Sequence, residues 1–201
     1  MSGTFPSSPI LRNVKITSFT PTLVSVTQSL QRQVRTRGGQ RWLIEGDFPP
    51  MTRGQYAPIF AFLLDQDGQY ETFTYIPPND IANARGTVSG TITCVDDGAI
   101  GDTSIPVDST SGTLLAGDFI KFSNHTKIYM VTSDVNLADS VPVINFKPKL
   151  LAAIDGTTSG SEDTIIYDSI PFNVALAQDT IEAALSLGNN FGMSLQFVEV
   201  F

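Results

Sequence analysis

His125 is the single histidine of the chain, Cys94 is its single cysteine, and twenty carboxylates surround them in sequence. These are the side chains with the most chemistry to offer. His125 sits in Ser123-Asn124-His125-Thr126-Lys127, a stretch that reads as a hairpin tip. With a serine and an aspartate it could form a nucleophile, base and orienter. The sequence has no G-x-S-x-G turn to present such a serine, so His125 reads as a solvent-exposed turn residue. One His and one Cys cannot complete the nitrogen and sulfur ligand set of a zinc site. Asp65-Gln66-Asp67-Gly68-Gln69-Tyr70-Glu71 looks like a calcium loop, but Gly at position 6 and Glu at position 12 are out of place. It reads better as a helix C-terminus with Gly68 at the cap. Asp96-Asp97 and Gly101-Asp102 read as acidic turns. Paired carboxylates for glycoside hydrolysis need a fixed separation in a cleft, and the acids here lie mostly in turns. Arg37-Gly38-Gly39-Gln40 lacks the helix and the lysine of a phosphate-binding loop. The expectation is no catalytic residue, no cofactor and no metal.

Charge is the stronger signal. The 201 residues carry 12 basic and 20 acidic side chains, a net −8. Four of the basic ones, Arg32, Arg35, Arg37 and Arg41, fall within ten residues beside the sole tryptophan, Trp42. A net negative chain is ill suited to general nucleic-acid binding, where affinity comes from neutralising phosphates, and no aromatic residues interleave the arginines for base stacking. No apolar run is long enough to span a membrane. MSGTFPSSP offers neither the basic nor the apolar region of a signal peptide, and one cysteine allows no internal disulfide. Cytosolic folding is expected, with neither nucleic acid nor membrane as partner. The basic cluster instead suits pairing with an acidic patch on a neighbouring copy, as in a ring.

Abundant Thr, Val, Ile and Phe, with turn residues every eight to twelve positions, predict a mainly β protein. Thr22–Thr27 reads as a strand. Gln31–Thr36 and Gln40–Glu45 read as a hairpin turning on Arg37-Gly38-Gly39, because paired glycines supply positive φ. On the return strand Trp42 and Ile44 share one face, with Arg41, Leu43 and Glu45 on the other. Thr52 and Gln55 have capping-box spacing, and Tyr56, Ile59, Phe60, Leu63 and Leu64 follow at helical spacing. Pro58 predicts a kink, or a helix that starts near Ala57. A strand is expected over 70–76, then short strands over 91–95, 104–107, 118–122, 127–132 and 141–146. Residues 155–161 read as a flexible exit. Thr164–Val174 carries Pro171, the sign of an edge or bulge. Residues 180–187 fit a strand or a helix, with strand preferred, and a strand is expected over 193–201. The fold class is therefore mainly β: a discontinuous β-sandwich or split-barrel-like domain over 1–84 and 160–201 with one short helix, interrupted by a small inserted β-barrel over 85–159. Trp42, Tyr56, Phe60, Phe62 and Phe73 are the expected core aromatics.

Four stretches together have a familiar form: Arg35-Thr36-Arg37-Gly38-Gly39-Gln40-Arg41-Trp42, Phe48-Pro49-Pro50-Met51-Thr52-Arg53, Ala57-Pro58-Ile59-Phe60-Ala61-Phe62-Leu63 and Gly68-Gln69-Tyr70-Glu71-Thr72-Phe73-Thr74. They resemble a signature of tailed-bacteriophage tail proteins. In the insertion, Leu115-Ala116-Gly117-Asp118-Phe119-Ile120-Lys121-Phe122 and His125-Thr126-Lys127-Ile128-Tyr129-Met130-Val131 resemble a phage-tail module. Gln196-Phe197-Val198-Glu199-Val200 is similar to the closing strand of the same group. The relatives so indicated are the distal tail proteins and the ripcord-like components that clasp the tail tube.

The resemblance implies a β-rich, non-catalytic virion protein, made in the host bacterial cytoplasm. It implies a multimeric collar of copies at the distal tube or baseplate, touching the tail tube and other baseplate proteins. Its assembly interface is expected at Arg32, Arg35, Arg37, Arg41, Trp42 and Arg53. A rival reading is a host-surface carbohydrate-binding module. That would need an aromatic platform in the insertion, where Phe119, Phe122, Tyr129 and Phe146 are the aromatic residues.

Overall fold

A computed structural model describes residues 3–108, 110–157, 160–186 and 190–201. In chain order the elements are β1 (Arg12–Phe19), β2 (Thr22–Val26), β3 (Arg32–Thr36), β4 (Arg41–Asp47), α1 (Arg53–Leu64), β5 (Phe73–Tyr75), α2 (Asn79–Ala82), β6 (Ile92–Thr93), β7 (Ser104–Pro106), β8 (Thr113–Leu114), β9 (Phe119–Phe122), β10 (Ile128–Val131), β11 (Val135–Asn136), β12 (Val143–Lys147), β13 (Thr164–Ile166), β14 (Phe172–Leu176), β15 (Ala184–Ser186), β16 (Asn190–Gly192) and β17 (Ser194–Glu199). The protein is mainly β, as its composition predicts. Its chain divides into two compact units, one built from 8–72 and 174–200, the other from 3–7 and 73–173 with Phe201. Thr158 and Ser159 of the expected flexible exit, and Leu187 of the expected strand over 180–187, lie outside the described residues.

The first unit is organised around β4. Trp42, Ile44 and Gly46 are buried on alternate positions, as the period of two requires. β4 pairs antiparallel with β1 on one side, Ile16 opposite Ile44, and with β17 on the other, Phe197 opposite Ile44. β17 alternates in the same way, with Leu195, Phe197 and Glu199 buried, and its far edge takes Val174–Leu176 of β14. Thr52 caps α1, its backbone N–H donating to Gln55 Oε1 at 3.0 Å. Tyr56 lays its ring on Phe191 of β16, centroids 4.6 Å apart and planes nearly parallel.

Three expectations in this unit are corrected. The hairpin of Gln31–Thr36 with Gln40–Glu45 does not form: both edges of β4 are taken by β1 and β17, and β3 pairs instead with β2. Pro58 does not delay the helix to Ala57: α1 runs from Arg53 to Leu64 with Pro58 inside it. The bond it removes would have gone to Gly54, an exposed residue whose carbonyl water can serve. Asp65 is the C-cap of α1, and Gly68 lies beyond it at φ +69°. The glycine is needed there, since a Cβ would meet Asp179 Oδ1 at 2.9 Å.

In the second unit six strands run in the order β6-β13-β9-β10-β12-β7. The two outer strands meet through a Cys94–Val107 bridge, with Asp108 N–H donating to the Thr93 carbonyl at 2.9 Å. The sheet thus curls back on itself. Its inside is filled by Ile92, Ile120, Phe122, Tyr129, Ile144 and Phe146, all fully buried. The expected strands over 91–95, 104–107, 118–122, 127–132 and 141–146 are all present; four are trimmed, and the fifth is shifted to Val143–Lys147. Two others are shorter than expected. The strand expected over 70–76 keeps only β5, where Thr74 exchanges backbone bonds with Gly3 and Phe5. Thr164–Val174 is split into β13 and β14, with Ser169 at φ +49° just before Pro171. A second helix, α2, adds one turn that the sequence pattern does not announce.

Candidate assembly surface

Between β1 and β4 the chain leaves the sheet of the first unit as a two-stranded ribbon. β2 and β3 pair in strict register, from Thr22 opposite Thr36 to Val26 opposite Arg32. All ten of their residues are exposed. The tip is a turn of hydroxyl and amide side chains. Thr27 N–H donates to the Gln31 carbonyl at 3.0 Å, Gln31 N–H donates back to Thr27 Oγ1 at 3.1 Å, and Leu30 takes φ +62°. At the base, Arg37 N–H donates to the Pro21 carbonyl at 3.1 Å. Gly38 and Gly39, at φ +72° and +71°, turn the chain into β4. Their positive φ is the feature expected of them, but they re-aim the chain where a hairpin tip was expected.

The period of two sorts the ribbon into faces. One carries Thr22, Val24, Val26, Arg32, Val34 and Thr36; the other carries Leu23, Ser25, Gln33 and Arg35. Val24, Val26 and Val34 are 51%, 58% and 52% exposed, and Leu30 at the tip is 84% exposed. An isolated ribbon is marginal in water, and one that shows apolar side chains and open edges is a template for another chain.

Of the six residues expected at the interface, five are exposed: Arg32 and Arg35 on β3, Arg37 at the ribbon base, Arg41 at the start of β4 and Arg53 at the start of α1. Arg35 and Arg37 do not sit at a tip, because the tip is Thr27–Gln31. Trp42 is different. Its ring is only 6% exposed and belongs to the core, while its backbone N–H donates to Glu199 Oε2 at 3.1 Å. Glu199 is itself fully buried. The structure adds the valine face and Leu30 as surface features, because a strand pattern in sequence does not say which of its faces is covered.

The same unit holds a cleft of about 640 Å³. It is lined by Ile181, by the buried Leu176, Met193 and Leu195, and by Asp47 and Glu182. Asp47 Oδ1 accepts a hydrogen bond from Ser194 Oγ at 2.7 Å.

The chemical candidates are held in structural roles. His125 is buried, contrary to its expected place on an exposed turn. Its Nδ1 lies 2.8 Å from Tyr129 Oη, and its ring packs edge-on to Phe122. Burial pushes His125 below its usual value, while the Ala153 and Ala152 carbonyls and Asp163 act the other way. The nearby Ser123 Oγ donates to Asp163 Oδ1 at 2.9 Å and accepts from Thr164 N–H, so serine and histidine face different partners. Burial pushes the Cys94 thiol up to about 12, with Asp163 and Asp108 adding to it, which suppresses the thiolate. Among the described residues no group of three or more His, Cys, Asp or Glu is placed to hold a metal ion, and no helix is long and apolar enough to cross a membrane. Phe119, Phe122, Tyr129 and Phe146 are all buried, so none of them forms a platform for a sugar ring.

Residues 83–168 match the family model of the distal tail protein pb9, B domain. No curated protein matches the chain. That match, confined to residues 83–168, agrees with the resemblance to distal tail proteins read from the motifs.

Proposed function

We propose that this protein is a structural part of a bacteriophage tail. It forms one subunit of a multimeric collar at the distal end of the tail tube or in the baseplate, and joins the tube to its neighbours there. The observation that carries the collar is the β2–β3 ribbon. Every residue of its two strands is exposed, valines line one face, and it carries or adjoins Arg32, Arg35, Arg37 and Arg41. Apolar burial and strand pairing on a neighbour supply the association energy, and the arginines set register. No turnover is required of such a subunit. The protein is made in the host cytoplasm and resides in the virion tail. A host-recognition role is less well supported, because the four aromatics of the inserted region that it would use are turned inward.

The test is a phage carrying Arg35→Glu and Arg37→Glu together. Circular dichroism of the purified variant matches wild type, since both side chains are exposed, and tail completion fails. Tails that assemble normally with this double change remove the ribbon from the joint.

A further inference from the structure

The ribbon and the cleft of the first unit complement one another. We propose that the β2–β3 ribbon of one copy lays its valine face into the cleft beside β17 of a second copy. This rests on the reading of the ribbon as the assembly element, and adds the surface that receives it.

Three observations converge. The first is segregation of charge. Residues 16–44 contain four arginines and no acid, so this segment carries +4. The other eight basic residues stand against all twenty acidic ones, a balance of −12 for the rest of the chain. A basic arm on an acidic body favours attachment to another copy of the same body. The second is chemical fit. Val24, Val26 and Val34 offer half-exposed aliphatic groups, and the cleft presents the half-buried Ile181 above Leu176, Met193 and Leu195, which are already buried. The third is where the cation lies. Arg32 is paired opposite Val26 and shares the valine face, at its tip end. It is therefore the arginine that enters with the valines, toward Glu182 and Asp47. Arg35 is on the opposite face with Leu23, outside the cleft and open to another neighbour in the tail.

The two surfaces differ, so the contact is head-to-tail. Such contacts close into rings or run on as filaments, and each copy uses its ribbon once and its cleft once.

The experiment is sedimentation of the full chain over a range of concentrations, with Arg32→Glu, Glu182→Arg, the two combined, and Arg35→Glu. Both sites of the reciprocal swap are exposed, and circular dichroism checks each fold. Wild type self-associates. Arg32→Glu and Glu182→Arg each weaken association at least about tenfold, the combined variant recovers it, and Arg35→Glu weakens it less than Arg32→Glu. An equimolar mixture of the two single variants also assembles, because every ribbon then finds a cleft of opposite sign. If the Arg32 change disrupts association while Glu182→Arg does not, the ribbon remains the joint and the cleft is not its receiver. If neither change matters, or wild type stays monomeric at millimolar concentration, both the cleft and the self-assembling ribbon are overturned.

Discussion

The β2–β3 ribbon and the curled sheet of the second unit are made from the same kinds of residue and end in opposite states. In the curled sheet Phe122, Tyr129 and Phe146 meet edge-to-face with centroids 5.3–5.4 Å apart, and none is exposed. The bridge between Cys94 and Val107 removes the free edges. In the ribbon Val24 stands opposite Val34 in an equally regular ladder, yet both remain about half exposed. β-branched residues in register thus specify a strand pair in both places. What separates them is closure. A sheet that returns to its own first strand satisfies its backbone and its apolar face internally, whereas a two-stranded arm can satisfy neither without a partner.

The sharpest break of that contrast is to remove a ring from the closed region. Phe122→Ala deletes a side chain that touches His125, Tyr129 and Phe146. It should cost about 3–5 kcal/mol, read as a drop in the denaturation midpoint. Trp42→Ala should cost a similar amount in the first unit, where the ring is buried. A loss of less than about 1 kcal/mol for Phe122 would mean the curled sheet is not the tight core that its geometry describes.

A second, smaller break concerns polar satisfaction. Asp118 is buried, and its carboxylate accepts from Arg85 Nε at 2.9 Å, Arg85 N–H at 3.2 Å and Leu115 N–H at 2.9 Å. It ties the turn before β9 to the chain near Arg85. Asp118→Ala leaves those donors short of an acceptor and should cost about 1–3 kcal/mol. Arg85→Ala should cost less, since its side chain is half exposed and the two backbone donors keep their carboxylate. Equal losses for the two variants would show that the ion pair, not the backbone donors, is the part that matters.

How much of this was legible in sequence follows the same divide. In the second unit the strand positions could be read, because several of the short apolar runs have an Asp-Gly, Ser-Gly or Gly-Asp turn beside them. In the first unit the alternation of Trp42 and Ile44 gave the faces of β4 correctly, and Thr52 with Gln55 gave the start of α1. The partner of β4 was misread. Gly38-Gly39 has the composition of a hairpin tip, while the true tip, Thr27-Gln28-Ser29-Leu30-Gln31, contains no Gly, Pro, Asn or Asp. Its turn is made by Thr27 Oγ1 and by a leucine at positive φ, signals that local composition does not carry. β4 finds β17 some 150 residues later, a pairing decided by the shared apolar faces of two distant strands. The arginines of the expected surface were visible because charge needs no fold to be counted. The valines beside them were not, since exposure is a property of the folded chain.

Acid offers a third probe, specific to the closed region. His125 is the one histidine, and burial depresses it from an ordinary value of 6.5. Above pH 7 it is neutral folded and unfolded, and contributes no slope. As pH falls below 6.5 the unfolded chain takes up a proton that the folded site resists, so stability declines until the depressed folded value is reached. Carboxylates titrate mostly below that window. Melting followed from pH 7.5 to 5.5 should therefore show a decline that His125→Gln abolishes. A wild-type profile that is flat, or rises, would show that the buried imidazole is not neutral in the folded state.

The smallest effect on stability belongs to the ribbon, and it is the most telling. Val24 and Val34 face each other but water reaches about half of each side chain. Replacing both with Thr keeps β-branching and strand propensity while making the face polar. In the isolated subunit the change should stay within about 0.5 kcal/mol, as for exposed sites generally. In assembly the same pair should behave as interface residues, raising the concentration needed for association. Large destabilisation of the single chain would mean the valines already serve its own fold and the ribbon is a finished element like the curled sheet. An unchanged monomer with impaired association would instead locate the missing half of its packing on another molecule.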